Sequence, residues 1–345
     1  MRRCLSLSFA CAVVSASAQP KDEPPRKVLV GTVCSRFSGS HEARAEQACK
    51  LIDALAAKAE SAYAGRKLDL AVLPETALMR DAERASDQCV PMEFVRRTAG
   101  AAAKRHGCYV AVGACLTERV GGRDCPRNAC VLLDRRGEVV GVYNKVHTAL
   151  EWGDVKATES EYGMVPGGGF PVFDTDFGKV GFLICFDMSY EDGWAELKRK
   201  GAEVVSVLSM SPQVFRPSLF AHRHQYWVVT STPSDQAAVI TPLGFVKGRT
   251  DGASPLVEEI DLSFVMCHWS EELSGGAALE RRFGKDAFGG IYVESENNGI
   301  FWSNRKDLPI GRMIEAVNVR PRDEEAARAE RVSSANRLSE RGTYR

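Results

Sequence analysis

The 345-residue chain has no surplus of charge, with 45 basic residues against 45 acidic ones, and it contains no basic block. Both absences argue against nonspecific nucleic-acid binding, which depends on cationic patches that release counterions from phosphates. There is no apolar run of roughly 18 residues, the length needed to cross a bilayer as a helix. No G-x-S-x-G elbow occurs, which removes the commonest serine-hydrolase reading. Gly167-Gly168-Gly169 is followed by no Lys-Ser/Thr and launches no helix, so it is read as a flexible turn beside a pocket and not as a phosphate loop. No internal repeat of fixed period is found. Hydrophobic residues make up 44% of the chain and charged residues 26%, a balance that suits a folded α/β protein and excludes disorder for most of its length.

The chain does have eleven cysteines. Two of them, Cys4 and Cys11, fall in a segment that reads as a secretory signal. Arg2 and Arg3 form a positive start, Cys4 to Val14 an apolar stretch, and Ala16-Ser17-Ala18 a small-residue cleavage site before Gln19. Residues 1–18 are therefore expected to be removed, leaving a secreted or periplasmic, soluble protein with no membrane segment. The loss of Arg2 and Arg3 takes the 45 basic residues to 43. Eight further cysteines, Cys34, Cys49, Cys89, Cys108, Cys115, Cys125, Cys130 and Cys267, are an even set that oxidising conditions could pair. Cys125 and Cys130 have a C-x4-C spacing with no second Cys/His pair nearby, so a disulfide is a better use of them than zinc. His222 and His224 are adjacent-but-one on an expected helix, do not share a face, and are read as surface residues.

Hydrophobic periodicity lays out alternating elements. Strands are expected at Val28–Val33, Leu70–Leu73, Tyr109–Cys115, Lys179–Ile184, Glu203–Leu208, Trp227–Ser231, Ala237–Thr241 and Leu256–Ile260. Ala129–Leu133 and Glu138–Tyr143 form a hairpin, which makes the sheets mixed. Helices are expected at His41–Tyr63, Pro91–His106, Tyr190–Lys200 and Ser218–Tyr226. The strand pattern fades near Asp261. Beyond it come a helix-like Ile310–Val319 and a polar tail, Arg320–Arg345, that reads as solvated or loosely helical.

Three strand ends carry residues that packing does not require. Leu73-Pro74-Glu75 places a carboxylate after a buried strand, Tyr143-Asn144-Lys145 a cation, and Leu183-Ile184-Cys185 a thiol at the end of the most apolar strand. Carboxyl ends of strands are where α/β folds collect their sites. Taken singly, each is an ordinary loop carboxylate, surface lysine or core cysteine. Their joint order, 70 residues from Glu75 to Lys145 and 40 from Lys145 to Cys185, carries more information.

With LPET (Leu73–Thr76), YNKVH (Tyr143–His147) and GFLICFDMSYED (Gly181–Asp192), the chain resembles the nitrilase or carbon-nitrogen hydrolase superfamily. FGKVG before the cysteine, GAEVVSVLS after the next helix and EEIDL at Glu258–Leu262 support the resemblance. It implies a four-layer αββα sandwich of two mixed sheets over residues 19–262, with residues 263–345 as a C-terminal arm. It further implies a Cys185 nucleophile, Glu75 as general base, and Lys145 with the backbone N–H of Phe186 as oxyanion donors. A second glutamate that steadies the lysine is assigned to Glu161, before the Pro166-Gly167 turn, with Glu151 and Glu159 as alternatives. No metal or organic cofactor is implied.

Phe186-Asp187 after the cysteine resembles the amidase and N-carbamoyl branches more than true nitrilases, so an amide or carbamoyl substrate is favoured. Tyr190 stands where relatives commonly have proline, a departure that bears on the start of the following helix. Arg216 and Arg223 could hold a substrate carboxylate or be plain solvated helix residues. A nitrilase and a non-catalytic binding protein on the same scaffold are the alternative readings. The resemblance also implies a homodimer or larger assembly, in which Phe301 and Trp302 are either dimer or lid contacts or a local apolar staple.

Overall fold

The computed structural model describes residues 22–82, 84–150 and 160–343. The proposed signal segment, and with it Cys4 and Cys11, lies outside them, as do Glu151 and Glu159. The chain divides into two compact units, residues 26–262 and a second made chiefly of residues 263–345.

The first unit contains two six-stranded mixed sheets. Strands β1 (Lys27–Thr32), β2 (Leu70–Val72), β3 (Tyr109–Val120), β4 (Arg123–Leu133), β5 (Val139–Asn144) and β12 (Leu256–Asp261) make the first, in the order β12-β1-β2-β3-β4-β5. Strands β6 (Val172–Asp174), β7 (Lys179–Ile184), β8 (Val204–Leu208), β9 (Trp227–Ser231), β10 (Ala238–Ile240) and β11 (Val246–Arg249) make the second, in the order β11-β10-β9-β8-β7-β6. In each sheet the three central strands run parallel, β1-β2-β3 and β7-β8-β9, and the outer strands are antiparallel. The central strands are buried apolar runs, as expected when both faces of a sheet are covered. The sheets are tied where β1 meets β9. Thr32 Oγ1 donates to Thr230 O at 2.7 Å, Ser231 Oγ donates to Val33 O at 3.0 Å, and Cys34 and Thr232 form a parallel bridge.

Helices cover the outer faces. Helix α1 (His41–Ala62) starts at Ser40, whose hydroxyl accepts from Ala43 N at 3.3 Å. Its inward stripe, Ala45, Ala48, Ile52, Leu55, Ala56 and Ala59, is buried, and the four alanines let the helix sit close to the sheet. Gly31 on β1 accommodates that approach, since a Cβ there would stand 2.9 Å from Leu55 Cδ2. A short α2 (Ala85–Gln88) is followed by α3 (Met92–Val95) and α4 (Ala101–His106), joined by a π-helical turn at Arg96–Gly100. On the second sheet lie α5 (Glu191–Arg199) and α6 (Phe215–His224).

The structure changes several details of the sequence reading. Strands β3 and β4 extend well past Cys115 and before Ala129 into one long hairpin, turned by Gly121 and Gly122 at φ 57° and 82°. Such a two-residue turn matches strand twist. The hairpin tip is exposed and polar, so hydrophobic patterning gave no sign of it. Cys125 and Cys130 both lie on β4, five residues apart. An odd separation puts them on opposite faces, roughly 16 Å apart, which excludes the expected disulfide. All nine cysteines of the described residues are free thiols. His224 is not a surface residue. It is half-buried in a ladder of rings with Phe220, Tyr226 and Trp194, and burial lowers its pKa to about 4.

The second unit has its own core. Strands β13 (Val265–His268), β14 (Phe288–Val293) and β15 (Asn298–Ser303) form an antiparallel sheet in the order β13-β15-β14, none of them anticipated from the sequence. Helices α7 (Ala277–Phe283) and α8 (Ile310–Ala316) pack with it around Cys267, Leu279, Phe301 and Met313. Phe301 is thus a core side chain, the local staple of the two options raised above. Helix α9 (Arg322–Thr343) carries polar residues around most of its surface. No described helix is long and apolar enough to cross a membrane.

Candidate active site

Each of the three strand-end residues is delivered by a different strand. Glu75 follows β2, Lys145 follows β5 and Cys185 follows β7. Glu75, 3% exposed, and Lys145, 1%, are buried, and Cys185 is partly exposed. Lys145 Nζ donates to Glu75 Oε1 at 3.0 Å and to Glu161 Oε1 at 2.7 Å, so the structure brings Glu161 into the group.

Cys185 begins a tight 3-10 turn, Cys185–Ser189, and adopts φ 47°. The left-handed region is costly for a residue with a Cβ and recurs where a site demands an unusual backbone. Phe186 N–H is the second amide of that turn and belongs to the set that helical bonding leaves unused. Asp187, fully buried, fixes the turn. Its carboxylate accepts from Ile184 N at 2.9 Å, from Tyr143 Oη at 2.7 Å and from His147 N at 2.6 Å. It therefore ties the cysteine turn to both flanks of Lys145. Burial raises the Asp187 pKa, and these three donors work against that rise.

Glu75 is held as firmly. Oε1 accepts from Asn128 Nδ2 at 2.7 Å as well as from Lys145, and Oε2 accepts from Met210 N at 2.9 Å. Asn128 stands on β4, and its carbonyl also accepts from Lys145 N at 2.8 Å. Gly113 on β3 makes room for the segment, since a Cβ there would lie 2.0 Å from Glu75 O. Gly167 acts similarly toward the lysine. Its N–H donates to Lys145 O at 2.7 Å, and a Cβ would lie 2.2 Å from Asn144 O. That residue is a close backbone contact, not the flexible turn anticipated.

The electrostatics follow from this packing. Burial disfavours the Lys145 charge, but Glu75, then Cys185 and Glu161, outweigh it and raise its pKa, so the ammonium persists. Burial and the Glu75 carboxylate push the Cys185 thiol up to about 11, against the opposing pull of Lys145, Met210 N–H and the Ser209 hydroxyl. At neutral pH the thiol is therefore protonated. The resting group is a neutral thiol beside a base and a fixed cation.

Sequence reasoning missed Asn128, Asp187 and the Ser209-Met210 contact. Asn128 carried a readable signal, as a polar residue at the start of an otherwise apolar run on β4. Asp187 lies inside the GFLICFDMSYED segment, where the sequence alone marks it only as a feature of the amidase and N-carbamoyl branches. The arginines separate: Arg223 pairs with Glu191 at 2.8 Å, whereas Arg216 donates to two neutral groups, Ser189 Oγ at 2.9 Å and Gln213 Oε1 at 3.2 Å.

Residues 38–244 match the family model described as carbon-nitrogen hydrolase. The chain is 28% identical over 152 residues to a deaminated glutathione amidase of Yersinia enterocolitica, covering 41% of this chain and 51% of that protein. It is 28% identical over 162 residues to a nitrilase of Pyrococcus abyssi, covering 47% and 56%. The alignments thus span about half the length of these curated relatives. Among solved structures, a carbon-nitrogen hydrolase from Helicobacter pylori G27 superposes with a TM-score of 0.56 at 18% identity, over 69% of this chain and 90% of the other. An amidase from Nesterenkonia sp. gives 0.52 at 18% identity, over 69% and 90%. At such identities these likenesses speak for the fold.

Proposed function

The chain belongs to the carbon-nitrogen hydrolase family of the nitrilase superfamily, and from that premise we propose that it is a thiol amidohydrolase acting on a linear amide or N-carbamoyl compound. The observation that carries this reading is Lys145 bridging Glu75 and Glu161 beside a cysteine held at positive φ.

In the proposed cycle, Glu75 takes the Cys185 proton as the sulfur attacks the carbonyl carbon. The oxyanion that forms is stabilised by Lys145 and the Phe186 N–H. Collapse breaks the C–N bond, Glu75 returns the proton to the leaving amine, and a thioester remains on Cys185. Water, deprotonated by Glu75, attacks the thioester, and the acid leaves with the thiol restored. Positioned proton transfer contributes about 10²–10⁴ in rate, and an oxyanion donor about 10²–10³. Glu161 keeps Lys145 aimed while Glu75 is transiently neutral. The chemistry assigns no step to a metal or organic cofactor.

The test is mass spectrometry of the protein mixed with a panel of amides and carbamoyl compounds. An acyl adduct on Cys185, with amine release that stops in Cys185→Ala, is expected. Turnover of nitriles alone would instead favour the nitrilase reading, and a folded protein with neither adduct nor turnover would favour a binding role. We further propose export directed by residues 1–18, supported by the charged start, apolar stretch and small-residue site, and a homodimeric or larger assembly, supported by the family resemblance.

A further inference from the structure

A second pair of sulfurs lies beside the site and takes no part in the cycle above. Cys115 on β3 is completely buried, in a small apolar cluster with Met79, Ala85 and Met164, and the partly exposed Cys89 packs against it. Val90 N donates to Cys115 O at 2.9 Å, which fixes the backbone beside Cys89 against the backbone of Cys115. Both thiols point to one acceptor, Ala85 O, at 3.3 Å from Cys89 Sγ and 3.4 Å from Cys115 Sγ. The two side chains also pack against each other in that cluster. A disulfide needs its two Cα atoms about 4.4–6.8 Å apart, and the Val90–Cys115 backbone bond with the shared acceptor brings the two side chains together.

We propose that Cys89 and Cys115 form a redox-convertible pair, with Cys89 as the attacking thiol and Cys115 as the resolving thiol, closed to a disulfide by a small diffusible disulfide. The Cys89 thiolate attacks one sulfur of the reagent, whose S–S bond breaks and releases one small thiolate, which takes up a proton. Cys115 then loses its proton to solvent, and its sulfur attacks Cys89 Sγ and expels the second small thiolate. Two protein thiols are oxidised by two electrons, and one small disulfide is reduced to two thiols.

The assignment of roles follows from environment. Cys89 is the sulfur that solvent reaches. The neighbouring Cys115 thiol brings its pKa down to about 7 despite burial, with the Thr117 hydroxyl and the Arg127 backbone assisting. The Cys115 thiol is held high by the same contact and by burial. Thiolate character and access decide which thiol attacks a disulfide. The pair is also built into the wall of the site. Cys115 is the cross-strand partner of Asn128, whose amide holds Glu75, and Met164 of the same cluster closes the turn that starts at Glu161. This inference stands independently of the proposed reaction.

The experiment uses the full-length reduced protein and glutathione disulfide. After incubation, free thiols are alkylated and the protein is digested without reduction. A peptide pair joining Cys89 to Cys115, with Cys185 alkylated, is the expected product. Cys115→Ser is expected to trap a glutathione adduct on Cys89, and Cys89→Ser to leave Cys115 alkylated only after unfolding. A stable adduct on wild-type Cys89, a disulfide joining any other pair, or full alkylation of both residues after oxidation would overturn the proposal. The wild-type digest decides the matter even where a variant folds poorly.

Discussion

Lys145 is the electrostatic centre of the site, a buried cation whose charge is sustained by two carboxylates. Buried ions of this kind are justified less by net stability than by the geometry they impose, because desolvation offsets much of their attraction. Asn128 contributes to that geometry without touching the reacting atoms. Its amide donates to Glu75 Oε1, the oxygen that also meets Lys145. A hydrogen bond to a charged group is worth about 1.5–3 kcal/mol. Asn128→Ala is accordingly expected to lower kcat by about 10- to 150-fold with little change in KM, measured by steady-state kinetics on whichever amide is turned over. An unchanged kcat would show that Lys145 and Met210 N hold Glu75 without it.

At the scale of elements, the site depends on close approaches between strands and turns. Gly113 on β3 faces the carbonyl of Glu75, and a methyl group there meets backbone atoms that cannot swing aside. Gly113→Ala is expected to displace the Leu73–Thr76 segment, costing about 1–3 kcal/mol as overpacking and most of the activity. Retention of full activity would mean that β3 yields instead. The end of α6 gives a pH-dependent prediction. His224 has a folded-state pKa lowered to about 4 from an ordinary 6.5, mainly by burial. Below pH 6.5 the unfolded chain therefore gains a proton that the folded chain refuses. The stability it contributes is present above pH 6.5 and lost as pH falls toward 4. Allowing for partial exposure, the loss is about 1–3 kcal/mol. His224→Phe, which keeps the ring ladder, is expected to flatten urea-unfolding stability between pH 6.5 and 4. An unaltered slope would assign the acid sensitivity elsewhere.

For the whole molecule, the two units differ in what holds them together. Residues 26–262 bury continuous apolar strands beneath helices, whereas the C-terminal unit closes a small core around Phe301, Leu279 and Met313. Native mass spectrometry of the protein purified after expression of the full chain in bacteria tests the proposed assembly and processing at once. The expected species has twice, or a higher multiple of, the mass of a chain beginning at Gln19. A monomer would contradict the assembly, and a chain that still begins at Met1 would contradict the export signal.

Much of the architecture was legible because its causes are local. Apolar runs marked the central strands, three- and four-residue spacing marked α1, and each strand end announced a chemically distinct residue at Glu75, Lys145 and Cys185. The long β3–β4 hairpin and the C-terminal sheet were not legible, since an exposed polar hairpin and short glycine-rich strands leave little hydrophobic pattern. The sequence by itself determined which groups were available for chemistry and in what order. Only the tertiary structure decided which of them meet. Asn128 reaches Glu75 across 53 residues of chain, Asp187 spans 44 to Tyr143, and Cys89 finds Cys115 while Cys125 and Cys130 are kept apart on one strand. Strand pairing and sheet packing set those distances, and they depend on residues far apart in the sequence being brought to the same edge of the fold.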